Sequence, residues 1–153
     1  MEIALTYDRL GSRLRSIGDV SIEYDRLGSR PAKLGAWPLS YNQLGSRLIS
    51  IGTIGIEYDM LGSRPSTVGS WPLSYDHLGS RLIQIGPYEL IYDQLGSRVR
   101  NLGPLSISYD RLGSRPSRIT LPPDQTPLSS ELLLILFFVL YEATLQRQRQ
   151  SAR

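Results

Sequence analysis

Tyr7-Asp8-Arg9-Leu10-Gly11-Ser12-Arg13 decides the reading of this chain, because close copies of it return six more times. The tyrosines that open the copies are Tyr7, Tyr24, Tyr41, Tyr58, Tyr75, Tyr92 and Tyr109, always 17 residues apart. Leu, Gly, Ser and Arg follow at the third to sixth places in all seven, and Asp follows the Tyr in all but the third, which has Asn42. A second Gly stands eleven places after the Tyr (Gly18, Gly35, Gly52, Gly69, Gly86, Gly103) until Thr120 replaces it. A fixed period of this kind marks a repeat architecture. Residues 1–120 are therefore one seven-copy array, and the rest of the 153-residue chain is of another kind.

Each repeat reads as two short strands and two tight turns. Apolar residues alternate before each Tyr, as in Val20, Ile22, Tyr24 and in Trp71, Leu73, Tyr75. Period-2 alternation marks a strand with one buried face. Asp-x-Leu-Gly-Ser suits a three-residue hairpin loop whose Gly takes a left-handed bulge position, at Gly11, Gly28, Gly45, Gly62, Gly79, Gly96 and Gly113. The second Gly suits the first place of a two-residue type II′ turn, with Gly86-Pro87 and Gly103-Pro104 fitting less well.

Such loops pair each Tyr with the Arg six places on, and both turns then share one register. The spacing predicts an open antiparallel meander of up to fourteen strands, since a barrel requires stagger between strands. One face carries a Tyr–Arg row (Tyr24, Arg30, Tyr41, Arg47, Tyr58, Arg64, Tyr75, Arg81) and an aliphatic row that Arg15, Ser66 and Arg100 interrupt. Pro31, Pro65 and Pro116 stand against this reading, because each removes a ladder donor inside a strand. A β-solenoid with one coil per repeat is the alternative, at the cost of stacking Asp on Asp at each rung.

Residues 121–127 form a Pro-rich linker, with Thr126 and Pro127 suited to the start of a helix over 128–148 and a basic tail at 149–153. Residues 132–141 are ten apolar residues without a break. They would cover about 15 Å, half of a bilayer core of roughly 30 Å. A helix this apolar needs burial, and the sheet's apolar face is the nearest place for it.

Composition narrows the chemistry. There is no Cys and one His, His77, so thiolate and multi-histidine metal sites are excluded. The net charge of +3 is mildly basic. Asp, Ser and Arg recur in every loop but the third, which has Asn42, whereas an active site needs one constellation in one environment. The repetition points to turn chemistry, and no cofactor is expected. His77 shares its turn position with Arg9, Gln43, Met60 and Gln94, which makes it a surface residue. Alternating Tyr and Arg would suit single-stranded nucleic acid, but acidic residues in six of seven loops argue against a phosphate-tracking groove.

Tyr-Asp-x-Leu-Gly-Ser-Arg-Leu at 7–14 and 75–82, and with Asn42 at 41–48, resembles the signature of the YD repeats of RHS-type proteins. The resemblance covers about residues 3–119. In that family successive hairpins wind into a shell around a toxin or other cargo, which implies a β-hairpin fold and secreted toxin delivery. This chain departs by its Ser between Gly and Arg, its shorter repeat and its seven copies.

The sequence thus leads to a non-enzymatic β-repeat scaffold for protein binding or assembly. A fibre or oligomer subunit joined through edge strands is the second reading, and a protein held at a membrane through 132–141 the third. Met1 leads straight into the first strand, which favours a cytoplasmic over a secreted protein.

Overall fold

The computed structural model describes residues 1–8, 13–25, 30–43, 47–59, 64–76, 81–93, 98–110, 115–125 and 127–151. The loop glycines Gly11, Gly28, Gly45, Gly62, Gly79, Gly96 and Gly113, with His77 and Thr126, lie outside the described residues. Each repeat supplies two strands, from β1 (Glu2–Tyr7) and β2 (Leu14–Ile17) to β13 (Leu105–Tyr109) and β14 (Pro116–Thr120). All neighbours are antiparallel, which removes the solenoid.

The fourteen strands close into a barrel, with β1 paired to both β2 and β14. This corrects the open meander. The short turns behave as expected: Ile17 faces Val20, and each turn Gly has φ between 53° and 61°. Gly86 and Gly103 match the rest, because the second residue of a type II′ turn has a negative φ that proline already holds.

The longer loops differ from expectation. Each Tyr pairs with the residue seven places on, as Tyr24 with Pro31, while Asp25 N donates to the Arg30 carbonyl at 3.0 Å. Four residues, not three, therefore lie between the last bonded pair. One step further the register slips again, so Glu23 faces Lys33 and Ala32 is left over as a bulge. The slip recurs in all seven hairpins.

Each hairpin thus staggers the sheet by two residues relative to the short turns, and seven repeats give a stagger of fourteen. Shear equal to strand number is the relation of the eight-stranded barrel, whose strands tilt by about 36°. At a strand spacing of ~4.8 Å the same tilt gives a radius of about 13 Å here.

The bulge also settles which side chains face inward. Arg15, Ser66 and Arg100, which interrupted the apolar row on the expected register, turn outward together with Ile49, and Leu14, Pro31, Leu48, Pro65, Leu82, Val99 and Pro116 turn inward. The prolines begin their strands, where a missing donor is tolerated. Outward positions carry mostly Ser, Thr, Glu, Lys, Gln and Asn, the reverse of a lipid-facing barrel wall.

The lumen is filled by α1 (Ser130–Ser151). Leu134, Ile135, Leu136, Phe137, Phe138, Val139 and Leu140 are all buried, so no side of this stretch meets solvent. They share one core with the inward rows of the wall. A helix 10–12 Å across inside a radius of about 13 Å leaves roughly 7–8 Å for wall side chains. The apolar face of the sheet does bury the helix, but as a lumen. Ser129 caps it through Oγ to Leu132 N, 3.1 Å. No helix among the described residues is long and apolar enough to cross a membrane.

Candidate functional site

The helix gives the barrel two unlike ends. Its start lies at the short-turn end, where Tyr88 hydrogen-bonds Glu131. Its far part lies at the loop end, where Tyr141 shares a hydrogen bond with Tyr41 and Glu142 faces Tyr75. The loop end is where the expected Tyr–Arg row lies.

The row is a closed ring, and its partners differ from those expected. Each Arg lies over the Tyr of the next repeat: Arg13 over Tyr24 at 4.6 Å, Arg30 over Tyr41 at 4.3 Å, Arg47 over Tyr58 at 5.3 Å. Arg64, Arg81 and Arg98 cover Tyr75, Tyr92 and Tyr109, and Arg115 covers Tyr7 across the closure. Each Tyr hydroxyl donates to a backbone carbonyl of the preceding repeat, as Tyr24 to Leu14 at 2.8 Å and Tyr92 to Leu82 at 2.6 Å.

The Asp that starts each loop holds the Arg that ends it. Arg13 Nε reaches Asp8 at 2.8 Å and Arg98 reaches Asp93 at 2.8 Å, with four further pairs out to 3.6 Å. At Asn42 the side-chain carbonyl accepts the Arg47 backbone N–H at 3.3 Å. The unit is therefore Asp, Arg and the next repeat's Tyr, repeated around the mouth.

Burial sets the electrostatics of this ring. It raises the Tyr24, Tyr41 and Tyr75 phenols above their ordinary range, with Tyr141 adding to the shift at Tyr41 and Glu142 at Tyr75. Tyr92 is pushed up to about 12 by burial, partly offset by Arg81. Tyr88, at the other end, reaches about 12 through burial and its bond to Glu131. All are neutral donors near pH 7.

Sequence reasoning placed Tyr and Arg together but set them opposite each other within one hairpin. It missed Tyr88, Tyr141 and Glu142, because these meet the ring or the helix only after closure. No group of three or more His, Cys, Asp or Glu that could hold a metal occurs among the described residues.

Fold and site define a class: a closed antiparallel β-repeat barrel wrapped around its own C-terminal helix. No family model matches the chain, and the searches of curated proteins and of solved structures return no match.

Proposed function

We propose that this chain is a non-enzymatic β-repeat scaffold that binds a protein partner at the loop mouth. The carrying observation is the Asp–Arg–Tyr ring, whose side chains are engaged with one another in near-identical units around the barrel. Catalysis needs one group made different from its neighbours, and this ring makes its groups alike. The loops hold a second pointer. They keep Leu, Gly, Ser and Arg constant and, Asn42 apart, vary at one place, with Arg9, Arg26, Gln43, Met60, His77, Gln94 and Arg111. A constant frame with one variable side chain per repeat is how a scaffold offers a recognition surface. The motif-level likeness to YD repeats agrees with hairpins curving around a filling, here the chain's own helix.

Affinity capture on the immobilised full chain, from extract of its native host, tests the reading beside a Gln43→Glu, Met60→Glu, Gln94→Glu variant. A discrete protein held by the parent and lost by the variant supports it. Equal retention by both removes the mouth as the binding face. Turnover of a small-molecule panel that survives in the variant overturns the scaffold reading.

A further inference from the structure

Seven joints link one repeat to the next, and six of them are covalent two-residue turns. The seventh, between β14 and β1, is a seam without a chain link, yet it copies the others. Ile3 faces Ile119 just as Val20 faces Ile17, so the register is the same. Leu121 N donates to the Met1 carbonyl at 2.8 Å and Met1 N to the Leu121 carbonyl at 3.1 Å. Tyr7 donates to the Pro116 carbonyl and lies under Arg115, as each other Tyr does with its preceding repeat. Arg118 and Glu2 add an ion pair of 3.6 Å on the outside.

The first repeat is therefore interchangeable in fit with the same repeat of another molecule. β14 is held further, because it continues through the buried Leu121 toward the helix in the lumen. β1 and β2 are held by their ladders to β14 and β3 and by inward packing.

We propose that two copies of this chain exchange their first repeats, residues 1–17, to form a swapped dimer of two complete seven-repeat barrels. Gly18-Asp19 is the hinge, opening from a turn into a strand-to-strand link. Each barrel keeps its own helix, so the exchange leaves the lumen packing intact. The closed monomer gains from its high effective concentration, and the exchange therefore appears on refolding from concentrated unfolded chain. Domain swapping joins protomers through the contacts they already make. The proposal does not depend on the scaffold reading.

The test uses the absence of cysteine from the chain. Ala4 and Arg118 face each other across the seam on the outer wall, and directly opposite residues lie within disulfide reach. Ala4→Cys and Arg118→Cys chains are unfolded together, refolded at low and at high concentration, and oxidised after folding. A covalent heterodimer rising with refolding concentration is expected, at least several-fold above that from folded monomers mixed and oxidised directly. Equal cross-linking from both preparations, or none from either, overturns the exchange. The double variant within one chain controls for geometry: oxidised before unfolding, it refolds as a monomer at both concentrations. If the locked chain still dimerises, the first repeat is not the exchanged part.

Discussion

At the scale of single residues, the molecule repeats one small electrostatic device. Asp steers Arg, and Arg covers the next Tyr. Arg47, whose loop starts with Asn42, lies 5.3 Å from its Tyr ring, the longest of seven such distances. A carboxylate there would draw the guanidinium as its counterparts do. Asn42→Asp should raise stability by about 0.2–1 kcal/mol, the range for exposed ion pairs. Denaturant midpoints in low and high salt check this, and the gain should shrink in high salt. The tyrosines give a second expectation. The folded pKa values of Tyr24, Tyr41, Tyr75, Tyr88 and Tyr92 lie above the unfolded value near 10, so the native state holds protons that the unfolded chain releases. Their stabilising contribution is complete below pH 10 and is lost as pH rises toward about 12, where Tyr88 and Tyr92 titrate. Unfolding midpoints should fall above pH 10, with phenolate absorbance appearing together with unfolding. Free titration near pH 10 at a constant midpoint would contradict it.

At the scale of elements, the helix and the turns are matched to the repeat number. A helix advances 100° per residue, and seven repeats divide the circle into steps of about 51°. Adjacent helix residues therefore face repeats two apart. Tyr141 meets Tyr41 of the third repeat and Glu142 meets Tyr75 of the fifth, as this arithmetic requires. Seven consecutive helix residues then visit all seven repeats, which is why 134–140 are apolar on every side. The turns are less uniform than their glycines suggest. A Cβ on Gly86 would come within 2.6 Å of the Trp71 ring, while one on Gly52 would meet Trp37 at 3.4 Å. Both sites carry the left-handed penalty of about 1–2 kcal/mol. Gly86→Ala should therefore lose clearly more stability than Gly52→Ala in thermal or chemical unfolding. Equal losses would mean that Trp71 moves aside without cost.

At the scale of the whole molecule, closure couples repeats that an open array would leave independent. In a linear array stability is roughly a sum over neighbours, and removing one repeat removes one share. In this barrel, deleting one 17-residue repeat such as 42–58 leaves twelve strands, and the radius falls by about 2 Å at constant tilt. The helix then no longer fits among the inward side chains. The deletion should abolish cooperative unfolding or expel the helix, read as protease cutting within 130–151 that the parent resists. A six-repeat chain with a protected helix and slightly lower stability would show that the wall adapts. Closure also pairs the two edges on which fibre growth was expected to depend.

What the sequence determined by itself is the local grammar. The 17-residue period, the alternation that makes each strand one-sided and the glycines at the short turns follow from backbone sterics and side-chain hydropathy, both readable residue by residue. The same holds for the all-round apolar helix, which announced its own burial. Tertiary structure alone decided that the sheet closes. The four-residue loop and the bulge at positions such as Ala32 together shift each hairpin by two residues, and the amino acids at those bulges (Arg15, Ala32, Ile49, Ser66, Ile83, Arg100, Ser117) share no property that marks them. Arg15, Ser66 and Arg100 in the apolar row, and the prolines Pro31, Pro65 and Pro116 beside it, were the visible traces. The polarity of the first three is a burial cost in the unbulged register and vanishes once the bulge turns them outward. The stagger is a sum over seven hairpins, and only the whole ring, filled by its helix, makes that sum meet itself.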